Sequence, residues 1–199
     1  MKKAPLVIVG IAVIALVIIF FPSGSPEPTG RVDGILDPHD GYVIGDVYEG
    51  EIIPARDGQL EGMIPKVDFT CSGIVYKIGK DRQDGIHYNV TLIFGILADP
   101  EKARYAIEDG RMGKEFADGF KLDQKYFRSH VAAFYARSAT DNVRKAVGAL
   151  KKGDAVRLKG HFVYLKTSNG ILTTSLDPAA FKCKYVYLTE VATQDGVYR

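Results

Sequence analysis

The run APLVIVGIAVIALVIIFF, residues 4–21, carries no charged or strongly polar side chain. A water-soluble domain has no room for such a stretch on its surface. At about 1.5 Å per helical residue it spans roughly 27 Å, close to the hydrocarbon thickness of a bilayer. A cleaved signal peptide has a shorter apolar region and a small-residue cleavage site; here Phe20-Phe21-Pro22 ends the run, and Pro26 follows the small cluster Ser23-Gly24-Ser25. A buried core helix is the third alternative. We read residues 1–22 as an uncleaved single-pass anchor, with residues 4–21 in the lipid bilayer. Lys2 and Lys3 precede the run, and Arg31 is the next base after it. The positive-inside rule then keeps the N-terminus cytoplasmic and exports the rest, which places the C-terminal domain outside the cell membrane.

Beyond the anchor the charge is uneven. Residues 22–65 hold nine acids against two bases, whereas residues 66–199 hold fifteen acids against twenty-two bases. Such asymmetry suits a chain that meets charged surfaces. Residues 23–64 read as an acidic Pro/Gly-rich linker, with room for two short strands around Ala55-Arg56-Asp57-Gly58-Gln59. The globular domain is expected over 65–199.

Within that domain the period is mostly two. Residues 68–80 and 86–97 read as two strands joined by a polar turn, with Ile86, Tyr88, Val90, Leu92, Phe94 and Ile96 on one face of the second. Asp99 and Pro100 open a short helix, and residues 125–137 form a third strand. Ser138 and Asp141 have capping-box spacing, and Val143, Val147 and Leu150 make the apolar stripe of a helix that Gly153 can stop in a left-handed conformation. A fourth strand covers 154–166, a turn follows at Thr167-Ser168-Asn169-Gly170, and further strands lie at 171–176 and 184–191.

This order implies a mainly β domain, a β-barrel with one or two helices. The helix between the third and fourth strands specifies it further as an OB-fold-like five-stranded Greek-key barrel behind a single N-terminal transmembrane helix. An open α+β sandwich is the second architecture compatible with the order. Residues 138–165, 183–191 and, more loosely, 64–76 make the domain similar to a family of uncharacterised, exported or membrane-anchored bacterial and archaeal proteins. The chain departs from that family's tryptophan-rich pattern, since it has no Trp. The resemblance implies a secreted OB-like module with no assigned reaction, and it supplies no catalytic residue.

The fourth strand presents Val156, Leu158, Phe162 and Tyr164 on one side and Arg157, Lys159 and His161 on the other. With Lys166, Lys182 and Lys184 nearby, and Tyr185 and Tyr187 as stacking surfaces, this is a candidate ligand-binding face: Arg157, Lys159, His161 and Lys184. The plainer alternative is the solvated side of an amphipathic strand. Export removes most access to nucleic acid, so the expected partner is an envelope protein or an anionic ligand. A single-stranded nucleic-acid binder at the cytoplasmic membrane face is the alternative.

Cys71 and Cys183 either form a disulfide outside the cytoplasm or remain buried thiols. His39, His87, His130 and His161 fall on separate elements without metal-ligand spacing, so no metal or cofactor is expected. Ser129 and His130, adjacent on a strand, are expected to point to opposite faces. Catalysis is not expected. Tyr76, Phe94, Phe127, Phe134, Phe162 and Tyr164 are expected in the core. The chain is thus expected to be a membrane-anchored, extracytoplasmic binding or interaction module of the cell envelope.

Overall fold

In the computed structural model, residues 24–32, 36–57, 59–81, 85–101, 129–177 and 184–199 are described. The expected anchor lies outside them, as do Phe127, Lys182 and Cys183. Among the described residues, no helix is long and apolar enough to cross a membrane.

The fold is mainly β, with a large mixed sheet and one α-helix among the described residues. Its strands are β1 (Tyr42–Val47), β2 (Ile53–Asp57), β3 (Leu60–Lys80), β4 (Tyr88–Ile93), β5 (Val131–Ser138), β6 (Ala155–Thr167), β7 (Gly170–Leu172), β8 (Lys184–Thr193) and β9 (Gly196–Tyr198). The helix, α1 (Asp141–Ala149), lies between β5 and β6. β3 pairs with β4, and β4 with β5, both antiparallel. β5 pairs in parallel with β8, β8 antiparallel with β6, and β6 antiparallel with β3. The pairing thus returns to its starting strand. β1 and β2 extend one flank of β3, β7 pairs with β6, and β9 with β8.

Aromatic rings fill the space this circuit encloses. Phe69 stacks on Phe162 at 4.7 Å between centroids and on Phe134 at 5.5 Å. Tyr42 of β1 meets Phe94, Phe134 and Phe162 edge-on, the geometry that the ring quadrupole favours. The Tyr42 hydroxyl is buried without a hydrogen-bond partner, and burial pushes its pKa up. A second, smaller cluster gathers Leu60, Met63, Val163 and Leu165 beneath Tyr135, Tyr185 and Tyr187. Val163 therefore has an apolar neighbourhood although it lies on the same side of β6 as Lys159 and His161.

Several expectations need correction. The division at residue 65 falls inside β3, and residues 42–57 join the same sheet. Their Pro and Gly had suggested a linker, but Pro54 sits on β2, which pairs with β3 alone among the described residues, where a missing N–H is tolerated. The linker itself is docked: Thr29 donates its N–H to the Val197 carbonyl (2.7 Å), and Val197 returns one to Gly30 (2.9 Å). Thr140, not Ser138, caps α1, its Oγ1 accepting from the Val143 N–H at 3.1 Å. The expected stripe of Val143, Val147 and Leu150 is buried, and Gly153 takes a positive φ of 92°. Asp99 accepts from the Glu101 N–H at 3.1 Å, as its capping role requires. Tyr76 and Tyr164 lie outside the core, each beneath a lysine, Lys152 and Lys66 respectively.

Candidate functional site

Across the outside of the sheet, register assembles one continuous row. Asp68 of β3 pairs with His161 of β6, His161 with Tyr187 of β8, and Tyr187 with Arg137 of β5. Since paired residues share a face, four chemically distinct side chains from four strands lie side by side. Gly160 makes the row possible. A register shift falls between Lys159 and Gly160, and there the β8 backbone approaches so closely that a Cβ would meet the Tyr187 carbonyl. Glycine is the residue for such an approach.

At one end of the row three polar atoms converge. Asp68 Oδ1 accepts from the Tyr48 hydroxyl at 2.7 Å and lies 2.7 Å from His161 Nδ1, which is 2.9 Å from the Tyr48 oxygen. The Tyr48 hydrogen bond and the adjacent imidazole together outweigh burial and hold Asp68 below the usual carboxylate range. Burial, followed by the Asp68 hydrogen bond and charge, raises Tyr48 to about 12. The Tyr187 ring lies nearly parallel to the imidazole at 6.5 Å. An imidazole held by a carboxylate is half of a general-base pair, but the Asp68 side chain is 66% exposed and so open to solvent.

The expected basic face is only partly assembled. Arg157, Lys159 and His161 share the outer side of β6. Lys184 does not join them, because its β8 position alternates with the outward Tyr185 and Tyr187, and it is 2% exposed. Nor is the face a bare cation strip. Glu190 of β8, buried beside it, meets Lys159 at 3.2 Å and Arg199 at 2.8 Å. Burial alone would raise Glu190, but hydrogen bonds and charge from Arg199 and Lys159 prevail and lower it. His161 has Asp68, Lys66 has Glu49 at 3.2 Å, and Lys166 lies 3.9 Å from Glu61. A phosphate approaching here must compete with carboxylates already in place.

Edge strand β1 adjoins this row. Among the described residues β1 pairs only with β3, and Val43 and Val47 are 65% and 70% exposed. Tyr48, next to Val47 in the chain, is exposed as well, and so is Ile52, further along the flank near Gly62 of β3. Large apolar side chains next to open backbone donors and acceptors are a docking signal. Periodicity places Val43 on a strand face, but only the pairing of β1 shows that no second strand among the described residues lies along it.

The remaining candidates are weaker. A cleft of about 270 Å³ opens between α1 and the β8–β9 turn, lined by Ala149, Leu150, Asp154, Asp195 and Tyr198. Neither a histidine nor a cysteine is among the residues that line it. Cys71 is a free, buried thiol whose pKa burial pushes up, and Cys183 lies outside the described residues. Ser129 and His130 precede β5 instead of lying within a strand, and Ser129 Oγ sits 3.0 Å from His130 Nδ1, contrary to the expected opposite faces. Among the described residues no group of three histidines, cysteines or carboxylates can hold a metal ion. Compared with known proteins, the chain matches no family model, no curated protein and no solved structure.

Proposed function

We propose that this chain is a membrane-anchored, extracytoplasmic interaction module of the cell envelope, whose scaffold is an OB-fold-like Greek-key barrel. Three features support the scaffold: the five-strand circuit β3–β4–β5–β8–β6, the parallel β5–β8 pair, and α1 between β5 and β6, the third and fourth of those strands in chain order. The anchor rests on the apolar run at 4–21 and the export on the lysines before it.

The observation that carries the interaction reading is the edge of β1 left unpaired among the described residues, with Val43, Val47 and Tyr48 exposed beside the Asp68–His161–Tyr187–Arg137 row. An extended segment of a protein partner is the occupant that fits. Its backbone can continue the sheet along β1, its apolar side chains can cover the valines, and its polar groups can reach the imidazole and phenol. The carboxylates already facing Lys159, His161 and Lys166 favour this over a phosphate-bearing ligand, and no reaction is assigned. Nucleic acid at the cytoplasmic face is the rival reading, and strongly salt-dependent binding of a single-stranded oligonucleotide is its signature.

A photoreactive amino acid placed at Val43 and at Tyr187 in the full chain tests this in intact cells. The same crosslinked protein should appear at both positions and be absent from a control at Asn169, on the β6–β7 turn. Equal crosslinking at all three positions, or none at Val43 and Tyr187, refutes the proposal.

A further inference from the structure

We infer that the end of the domain formed by α1 and β9 rests on the membrane, and that Lys145, Lys151 and Lys152 meet anionic lipid headgroups there. This rests on the anchor proposed above and goes beyond it, because an anchor alone fixes neither the domain's orientation nor the lipid it meets.

The first argument is chain length. Gly24 lies three residues beyond Phe21, the end of the apolar run, so the backbone between them spans at most about 11 Å. From Gly24 onward the chain does not wander. Glu27 donates its N–H to Asn142 Oδ1 at 2.9 Å, and Asn142 Nδ2 returns a hydrogen bond to the Glu27 carbonyl at 2.8 Å and another to Arg199 at 3.2 Å. Thr29 and Gly30 then pair with Val197 of β9. A tether this short, fastened to the N-terminal turn of α1, leaves that end of the domain no route away from the bilayer. β6 runs from α1 towards the β6–β7 turn for thirteen residues. At about 3.3 Å per residue, Ser168 sits up to roughly 40 Å along the strand from the membrane end.

The second argument is charge. A Cβ on Gly24 would lie 3.3 Å from Lys145 Nζ, so this ammonium stands where the tether emerges. Lys151 and Lys152 follow at the far end of α1, and both residues are exposed. Among the described residues no carboxylate lies within ion-pair distance of Lys145, Lys151 or Lys152. The acids of this end are Glu27, Asp141, Asp154 and Asp195. Asp141 is bound to Arg144 at 2.8 Å, and Asp154 accepts the Lys151 N–H at 2.7 Å. The headgroup chemistry that fits ammoniums without a carboxylate partner is a phosphodiester with net negative charge, as in phosphatidylglycerol.

The test uses the full chain in vesicles, in a Cys71→Ala, Cys183→Ser background. A donor fluorophore is attached at Ala149→Cys or Ser168→Cys, and headgroup-labelled acceptor lipid reports proximity. Transfer should be strong from position 149 and weak from 168. It should rise at 149 when phosphatidylglycerol is added to phosphatidylcholine, and fall back in high salt. Lys145→Glu, Lys151→Glu and Lys152→Glu together should abolish the lipid dependence, each lysine contributing about fivefold to the membrane-bound population. Equal transfer from the two positions, or none of this dependence on lipid charge, overturns the inference while leaving the anchor intact. Loss of the protein from membranes in alkaline carbonate removes the anchor, and the inference with it.

Discussion

Two regions of this domain carry cations, and they treat them in opposite ways. On the outer face of β6 each of Lys159, His161 and Lys166 faces an acid from a neighbouring strand. Around α1, Lys145, Lys151 and Lys152 have no such partner among the described residues. In the sequence both segments look basic, Arg144, Lys145, Lys151 and Lys152 on one and Arg157, Lys159 and Lys166 on the other. The difference shows that capacity for an anionic surface follows from what the sheet register brings opposite a cation, not from the count of cations on one element.

Both regions stand on one aromatic core, so the largest expected effect is common to them. Phe162→Ala removes the ring stacked on Phe69 and should cost about 3–5 kcal/mol in urea unfolding. A loss below about 1 kcal/mol would mean that the circuit is not held by these rings.

The next prediction is confined to the compensated face. Glu190→Ala leaves Lys159 and Arg199 without their carboxylate and should destabilise by about 1–3 kcal/mol. It should also give the face measurable retention on an anionic resin, which would erase the contrast between the two regions. The same residue sets a pH dependence. Its folded pKa is depressed, so its contribution is full above the unfolded value of about 4.3 and is lost as pH falls through the lower folded value. Glu190→Gln should flatten this part of the acid limb in thermal melts, and an unchanged limb would contradict the account.

Charge reversal at Lys145 and Lys151 should change stability by no more than about 0.5 kcal/mol, because no carboxylate partner is lost; at Lys152, whose ammonium lies over the Tyr76 ring, the loss should stay within about 1 kcal/mol. A large loss would mean that these lysines serve the fold. The smallest effect is expected at Asp68→Asn. Stability should barely move, whereas Tyr48, raised to about 12, should titrate closer to an ordinary phenol when followed by ultraviolet difference absorbance. Titration of Tyr48 unchanged from the parent would separate the phenol from the carboxylate.

Much of the fold was legible because it is written in local periodicity. The alternation in 86–96 and 154–162 marks β4 and β6, and the Val143–Val147–Leu150 stripe marks α1, although the helix ends at Ala149 with Leu150 as its cap, ahead of the expected stop at Gly153. What escaped depends on contacts distant in sequence. Residues 42–57 look like a linker until β3, at 21 residues, proves long enough to pair with β1, β2, β4 and β6. The docking of Thr29 and Gly30 on Val197 joins residues nearly 170 positions apart, with no pattern to announce it. The site was half legible: alternation placed Arg157, Lys159 and His161 together, but proximity in sequence added Lys184, which parity on β8 turns inward. Asp68 and Glu190, which change the character of the face, became visible only through register.

The most direct test of the central claim is topology. Ser168→Cys, in a background with Cys71 and Cys183 replaced, is exposed to a membrane-impermeant thiol reagent in intact cells. The account predicts labelling before lysis, with the protein retained in membranes. Labelling only after lysis, with retention unchanged, would put the domain in the cytoplasm and contradict it.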